Sequence, residues 1–472
     1  MAMGRKGGRG EQEDMWIATQ ELARAPGHIF YEKLNEVLRA HGFDSFVERL
    51  CAPFYAKRMG RPSIAPGIYF RMLLVGYFEG IDSERGIAWR CADSLSLRRF
   101  LAYPLSGKTP DHSTISRTRR LLDEETHREV FTFILRILGE KGLIDGKTIG
   151  VDGTTLEANA ALRSIVRRET GEGYEEYLKG LAKAAGIQDP TRADLAKLDR
   201  KRKGKGSNKE WEHPHDPEAR ITKMKDGRTH LAHKLEHAVD MKSGAVVGVT
   251  VQDTDGGDTR SIYETLREAS EQLEALSEEP ECAEKIHKDW LSEVVLDKGY
   301  HSNETLVDLA EMEIRGYVSE PERGRRRWKK GKEEKHRERD AVYANRRRVK
   351  GDRGQGLLRR RGELLERPFA HYLDGGRMRR VHLRGRSNIC KRILVQVAGF
   401  NLGFFMRSLL GAGTPRALGD LSPFLRLLSQ LLLRFSQRFR FPRQGSEQIS
   451  DSRNIVTLVD WSLLRPTSAT GC

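Results

Sequence analysis

The N-terminal part of the chain has the apolar spacing of α-helices. Apolar residues recur at close to 3.6 positions across Pro66–Glu79, a segment that opens with a proline suited to a first helical turn. Similar spacing predicts further helices over residues 83–91, 95–101, 115–121 and 124–141. The pattern therefore predicts a mostly helical region over residues 16–143.

After residue 143 the apolar positions change to short β-branched runs. Residues 148–151 predict a buried strand that ends at Asp152, where a glycine and two threonines turn the chain. Residues 294–296 form a second run, followed at once by Asp297. Open α/β sheets hold their functional groups at the carboxyl ends of strands, so both carboxylates are candidates for a site. Either aspartate alone would also fit an ordinary turn.

Weaker patterns complete this region of the chain. Residues 230–251 predict a β-hairpin that turns at residues 240–244. Four further helices are predicted, at residues 258–275, 305–311, 357–372 and 389–410, together with a strand at residues 316–319. The order of strand, hairpin, helix, strand and helix predicts an α/β fold with a mixed sheet flanked by helices.

Residues 160–229 interrupt this pattern and predict an inserted, partly mobile loop. They contain His213 and His215 with a proline between them, which is more typical of a polar loop than of a metal site. The spacing of His233 and His237 would suit zinc only on a helix. On one face of the predicted hairpin strand, the two histidines indicate a structural role or a position near nucleic acid.

The net charge of the chain indicates the kind of partner that it binds. Its 472 residues predict two or three domains, and 83 Lys and Arg against 67 Asp and Glu give a formal net charge of +16. Such an excess favours a polyanionic partner, most commonly DNA or RNA. Nine of the fifteen residues 325–339 are Lys or Arg, among them Arg325, Arg326 and Arg327. This run predicts phosphate contacts, although basic runs are often only solvated faces.

A second group of arginines follows turn and cap signals at residues 109–114. Arg117, Arg119 and Arg120 then lie on a predicted helix, an arrangement that resembles a helix-turn-helix. The same sequence also fits a helical bundle with solvated arginines, and the pattern does not decide between the two.

The cysteines and the lengths of the apolar runs indicate the cellular compartment. The five cysteines form no Cys-x-x-Cys pair, which indicates reduced thiols and argues against zinc bound through cysteine. The basic start leads into no apolar stretch, and no uninterrupted apolar run approaches the ~20 residues that span a bilayer. These features predict a cytoplasmic protein without a membrane role. A Leu-rich helix at residues 423–439 and a loose end at 440–472 are predicted for the C-terminus.

Two strand-end aspartates in a basic chain suggest metal-dependent chemistry on nucleic acid. Two metal ions about 4 Å apart can clamp the attacking and leaving oxygens of a phosphodiester, and magnesium prefers carboxylate oxygens. Asp152 and Asp297 would supply two ligands, and a third acid would come from the helix at 357–372. Glu363 and Glu366 are the candidates, and their spacing alone does not choose between them. Pro368 predicts a kink or a new first turn just after Glu366.

Several blocks together carry a family resemblance. Residues 150–160 read Gly-Val-Asp-Gly-Thr-Thr-Leu-Glu-Ala-Asn-Ala, residues 296–302 read Leu-Asp-Lys-Gly-Tyr-His-Ser, and residues 366–371 read Glu-Arg-Pro-Phe-Ala-His. They resemble the three acidic blocks of bacterial insertion-sequence transposases of the DDE type. Residues 375–386 and 399–403 resemble that family's downstream segment, and the stretch from 61 to 114 resembles its helical leader. The resemblance covers about residues 40–410.

The resemblance implies a domain organisation and an activity. It implies a helical DNA-binding domain over residues 1–143, a ribonuclease-H-like catalytic domain over 144–411 with basic insertions near 160–229 and 320–356, and a C-terminal helix and tail over 412–472. The implied activity is two-metal hydrolysis at the element ends followed by strand transfer into target DNA. The implied partners are terminal inverted repeats and target DNA, bound by a homodimer.

The resemblance also implies site residues. Asp152, Asp297 and Glu366 would hold two Mg²⁺ ions, which Mn²⁺ can replace. The DNA contacts would come from basic residues: Arg117, Arg119, Arg120, Lys298, Arg325, Arg326, Arg327, Arg361, Arg367, Arg379, Arg380 and Arg384. Related branches carry a Tyr-x2-Arg-x3-Glu-x6-Lys signature, whose other places around Glu366 hold Arg359, Gly362 and Leu373. The choice of Glu366 over Glu363 therefore rests on the Glu-Arg-Pro-Phe-Ala-His block.

Two other functions stay open at this point. The chain could be an inactive relative that only binds DNA, or a ribonuclease-H-like nuclease that cuts without strand transfer. Strand-transfer products on a supercoiled target would separate the nuclease from the transposase. Absence of cleavage with Mg²⁺ or Mn²⁺ would indicate the binding protein.

Overall fold

A computed structural model describes residues 27–56, 63–201, 206–224, 227–322, 328 and 333–420. Its first half confirms the predicted helices. Ser83, Ser94, Asp111 and Asp123 each cap a helix by accepting a hydrogen bond from a backbone N–H of the first turn. The helices of residues 27–143 are α1 (Ile29–Ala40), α2 (Phe43–Cys51), α3 (Pro66–Glu79), α4 (Glu84–Asp93), α5 (Leu95–Phe100), α6 (His112–Leu121) and α7 (Glu124–Glu140).

The predicted α/β region forms a mixed sheet. The strand order is β4-β5-β1-β7-β8. β6 also pairs with β5, at residues of β5 that follow those paired with the short β4. β5 runs antiparallel to β1 and β6, whereas β7 and β8 run parallel to β1. The strands of this sheet are β1 (Thr148–Glu157), β4 (Arg220–Lys223), β5 (Thr229–Asp240), β6 (Val246–Gln252), β7 (Glu293–Leu296) and β8 (Arg315–Val318).

The first strand differs from its prediction. β1 does not end at Asp152 but continues to Glu157, because β5 supplies antiparallel partners along its whole length, as far as Glu157 opposite Ala232. The parallel partner β7 covers only Thr148–Gly150. Asp152 therefore lies within β1, but beyond the last residue of β1 that pairs with β7.

The prediction of a loop for residues 160–229 is wrong for the part that is described. This insertion contains β2 (Val166–Arg167), α8 (Tyr174–Ala184), α9 (Arg192–Lys201) and β3 (Trp211–Glu212), besides β4. Trp211 is 1% exposed and packs against the rings of Tyr174 and Tyr177. The scattered apolar residues of this polar segment thus suffice for a small core of its own.

Seven helices follow β6 in the described residues. They are α10 (Asp258–Glu278), α11 (Pro280–Ala283), α12 (Asn303–Glu311), α13 (Glu333–Lys350), α14 (Asp352–Phe369), α15 (Arg386–Leu410) and α16 (Pro415–Asp420). Five of them (α10, α12, α13, α14 and α15) contact the sheet. The predicted new first turn at Pro368 is wrong, since α14 runs through Pro368 to Phe369 and passes directly into a π-helical turn, Ala370–Gly375, whereas the alternative of a kink stays a prediction. The proline ring is tolerated near the end of the helix, where the helical hydrogen-bond pattern changes.

α15 joins the two halves of the fold. It packs against α7 and α3 on the helical side and against β6 of the sheet, so one hydrophobic core runs from Phe30 to Leu418. By length and composition Arg386–Leu418 could cross a membrane, but 72% of its most apolar window is buried inside the protein. α15 thus has the burial of a core helix. The Leu-rich helix predicted at residues 423–439 lies outside the described residues.

Candidate functional site

Strand register places Asp152 beside Asp297. The parallel pairing of β1 with β7 sets Thr148 opposite Glu293 and Gly150 opposite Val295. Continuing this register by two residues brings Asp152 opposite Asp297, on strands spaced about 4.8 Å apart. Asp297 directly follows β7 and accepts a hydrogen bond from the Gly299 N–H at 2.7 Å, which fixes its carboxylate over a 3-10 turn, Lys298–Tyr300. The two predicted aspartates therefore lie together.

One guanidinium lies between the two carboxylates. Nη2 of Arg361, on α14, is 2.9 Å from Oδ1 of Asp152 and 3.8 Å from Oδ2 of Asp297. Both carboxylates stay partly accessible, with 21% and 38% of the side chain exposed, whereas Arg361 is 16% exposed. Arg361, predicted as a DNA contact, offsets one of the two negative charges of the acidic pair in the structure. The pair can therefore accommodate a cation between its oxygens.

An aromatic wall closes one side of Asp152. Its cross-strand partner on β5 is His237, whose ring stacks on Phe369 at 3.7 Å between centroids and whose Nδ1 lies 2.9 Å from the Tyr372 hydroxyl. Burial lowers the pKa of His237 to about 3, the net value after a hydrogen bond with the Leu365 backbone raises it and the nearby Arg361 charge lowers it. His237 is therefore a neutral, buried ring, as the structural prediction for this histidine required. His233, four residues earlier, is also fully buried and lies against Asp216.

The two candidate glutamates are three residues apart on α14, so both lie near one side of the helix. The side of Leu364 and Arg360 faces the start of β1, because Leu364 approaches Gly244 and Arg360 donates to the Met241 carbonyl. Phe369 instead faces His237, the partner of Asp152.

Glu366 is one turn before Phe369, and residues three apart share a helix face. Glu366 therefore lies near the side of Phe369, exposed to solvent, and Glu363 is one turn further from Phe369. Glu363 is also exposed and pairs with Arg367 at 2.6 Å. Within the described residues, no group of three His, Cys, Asp or Glu side chains is close enough to hold a metal ion. The structure thus brings Asp152 and Asp297 together and leaves Glu366 outside that pair.

A basic cavity flanks the acidic pair along β1. It has a volume of about 410 Å³ and includes Thr154, Glu157, Arg379 and Arg380 in its lining. The chain at Arg379–Val381 runs beside the end of β1, where the Val381 N–H donates to the Glu157 carbonyl at 3.0 Å. This segment lies along the edge of β1 that β7, which pairs only with Thr148–Gly150, leaves unpaired. Arg379 is fixed by Asp374 at 2.7 Å and by Thr154 at 3.2 Å, and Arg380, 62% exposed, is 3.6 Å from Glu157.

The other predicted DNA-contacting residues are distributed over several surfaces. Arg117 and Arg120 are exposed on α6, and Lys298 and Arg384 are exposed near the sheet edge. Arg119 is 7% exposed and pairs with Glu84 at 2.8 Å, so it ties α6 to α4 instead of facing solvent. Arg325, Arg326 and Arg327 lie outside the described residues.

The N-terminal part of the chain matches a known protein family. Residues 19–121 match the family model described as Transposase domain (DUF772), a region that runs through α6. This match supports a transposase of the insertion-sequence type at the level of the family. No curated protein and no solved structure matches the chain.

Proposed function

We propose that this protein is a DNA transposase of the DDE type, which cleaves the ends of its element and transfers them into target DNA. The observation that carries the proposal is the pairing of Asp152 with Asp297 at a partly exposed sheet edge, beside a basic cavity. The transposase-domain match supplies the biological class. Two adjacent carboxylates beside cations suit a phosphodiester substrate, because the acids bind metal and the cations bind the backbone.

A ribonuclease-H-like fold for the sheet region is part of this proposal. Its support is the mixed sheet with β1 at the centre, in which β5 alone runs against β1, and the position of both aspartates on neighbouring strands. The buried, unbridged thiols of Cys51, Cys91, Cys282 and Cys390 support a reducing compartment, and we place the reaction in the cytoplasm on a homodimer bound to DNA.

The acidic pair fits a divalent cation. Its donors are hard carboxylate oxygens, and a guanidinium already lies between them. Asp152 and Asp297 would hold the metal with a third ligand from Glu366, and bound Mg²⁺ or Mn²⁺ ions would stabilise the charge of the attacking and leaving oxygens. The chain itself positions the DNA strand through Arg379 and Arg380, excludes water on one side through Phe369 and Tyr372, and keeps His237 neutral.

Arg361 competes with metal for the same oxygens in this proposal. Replacing Arg361 with methionine is expected to tighten Mn²⁺ binding in the absence of DNA by about tenfold, since screened ion pairs at a partly exposed site interact by about 1 kcal/mol and each ~1.4 kcal/mol is a factor of ten. Titration of free Mn²⁺ by electron paramagnetic resonance measures this. Arg367→Met, on the same helix but paired with Glu363, is the control and should leave the affinity unchanged. Equal affinities in wild type and Arg361→Met would refute the competition.

The basic cavity is expected to bind backbone phosphate. Arg380→Gln should weaken binding to all DNA sequences alike and reduce the slope of log affinity against log salt by about one unit per lost phosphate contact. The matched control is Arg315→Gln, an exposed arginine where β8 begins, at the opposite end of the parallel strands. Fluorescence anisotropy over a range of salt concentrations measures both variants. A slope that stays the same in Arg380→Gln would show that this side chain is only solvated.

The function is tested with the DNA that flanks the gene. Purified protein is incubated with labelled flanking ends, a supercoiled plasmid and Mg²⁺ or Mn²⁺, and the products are separated on gels. Joined end–plasmid products are the expected result. Cleaved ends without joined products would favour a nuclease, and bound but uncut ends would favour a protein that only binds DNA.

A further inference from the structure

A buried carboxylate lies directly behind the acidic pair. Glu236 is on β5 opposite Gly153, the residue next to Asp152 in β1, and it is 0% exposed. Successive residues of a strand face opposite sides of the sheet, so Glu236 lies on the α10 side while Asp152 faces α14. Burying an ionised carboxylate is costly unless it is paired and hydrogen-bonded. Glu236 therefore requires hydrogen-bond donors and a cation around it.

Glu236 is saturated with donors. Ser261 and Thr265, both on α10, donate to its two oxygens at 2.6 and 2.7 Å, and the Tyr300 hydroxyl donates at 2.9 Å. The ammonium of Lys234 is 3.2 Å away and also donates to Asp258 at 2.6 Å. Each oxygen thus has a partner, and the negative charge is balanced by a buried lysine.

Tyr300 connects this network to the acidic pair. It ends the 3-10 turn Lys298–Tyr300 that starts from Asp297, and it is 1% exposed. Burial first, and then the Glu236 charge, raise the pKa of Tyr300 well above its ordinary value, so its hydroxyl remains a donor. A side chain at Gly299 would collide with the Asp258 carboxylate, so the turn also packs tightly against the start of α10. The turn is therefore held at both Gly299 and Tyr300.

We propose that Glu236 and Tyr300 are positioning residues, which hold the turn after β7 so that Asp297 stays beside Asp152. The turn straddles the sheet edge, with the Asp297 carboxylate near Arg361 on one side and the Tyr300 hydroxyl on Glu236 on the other. Neither residue touches the substrate; they act through Asp297. The inference rests on the proposed role of Asp297 in cleavage.

Two matched variants separate positioning from general stability. Tyr300→Phe and Thr265→Val each remove one hydroxyl donor from the same buried carboxylate. Only Tyr300 is joined to the Asp297 turn, whereas Thr265 anchors α10. A purely structural network would respond alike to both losses. A positioning network would disturb Asp297 only when Tyr300 is changed.

Hydrogen exchange and cleavage are measured on the full chain. Exchange at residues 298–300, where the Gly299 N–H is bound to Asp297, should be about tenfold faster in Tyr300→Phe and unchanged in Thr265→Val. Cleavage should fall about 10–100-fold in Tyr300→Phe, as for other partners that orient metal ligands, and less than about threefold in Thr265→Val.

Two outcomes would overturn this proposal. One is equal exchange and equal cleavage in the two variants, and the other is a Tyr300→Phe protein that matches wild type in both measurements. Asp297→Ala is included so that the two proposals can fail separately. If that variant cleaves normally, the proposed function fails, while the exchange measurement still decides whether Tyr300 holds the turn.

Discussion

Replacing Asp152 or Asp297 with alanine is expected to lower DNA cleavage by about three orders of magnitude or more while the protein stays folded. Each variant removes half of the acidic pair, and metal ions supply several kcal/mol of stabilisation to a phosphodiester transition state, which corresponds to at least about 10³ in rate. Both carboxylates are partly exposed, and in each variant the remaining carboxylate still has Arg361 as its neighbour. Little folding free energy should therefore be lost. Cleavage is measured under single-turnover conditions with Mg²⁺ and with Mn²⁺.

Asp145 provides the matched control for this experiment. It precedes β1 at the opposite end from the site, its side chain is 22% exposed, and it pairs with Lys242 at 2.7 Å. Asp152 is 21% exposed and pairs with Arg361 at 2.9 Å, so the two aspartates have a similar exposed fraction and each has a cationic partner. Asp145→Ala should cleave within about threefold of wild type. Cleavage at the wild-type rate in Asp152→Ala or Asp297→Ala would remove the basis of the catalytic proposal.

The elements that follow from local pattern could be predicted from the sequence. α3 has its predicted bounds, Pro66–Glu79, because a first-turn proline and a following glycine mark its ends. The strand before Asp297 is also where its apolar run places it. The adjacency of Asp152 and Asp297 depends on a parallel register, yet the apolar run before each aspartate was enough to select both residues, although β1 continues past Asp152.

Features that depend on distant partners could not be predicted. β1 extends to Glu157 only because β5 continues beside it, and this pairing joins residues about eighty positions apart. Arg361 resembles any other arginine of a basic helix until α14 lies over the aspartates. The sequence only weakly indicated a buried role for Glu236, because a charged residue among the apolar positions of a strand requires a buried partner. Its partner Tyr300 lies 64 residues away, and only the fold brings the two together.

The contacts of α14 bear on the choice between Glu363 and Glu366. Phe369 stacks on His237, the cross-strand partner of Asp152, and Glu366 precedes Phe369 by one turn. Glu363 is tied to Arg367 at 2.6 Å. Glu366 is exposed and in no ion pair with Arg367, so a change of its side-chain rotamer costs little. The contacts of the helix therefore favour the same glutamate as the Glu-Arg-Pro-Phe-Ala-His block.

Glu366→Gln is expected to eliminate both donor cleavage and strand transfer, whereas Glu363→Gln should keep substantial activity. Each substitution preserves the size and polarity of an exposed side chain, so folding should survive, and the loss in Glu366→Gln should reflect a missing negative charge at the metal ions. Glu363→Gln also serves as the control, since it is the same change on the same helix one turn away. Both steps are measured separately, with uncut ends for cleavage and pre-cut ends for strand transfer. An inactive Glu363→Gln beside an active Glu366→Gln would place the third ligand one turn earlier. Two active variants would mean that α14 supplies no ligand and that the three-acid site is wrong.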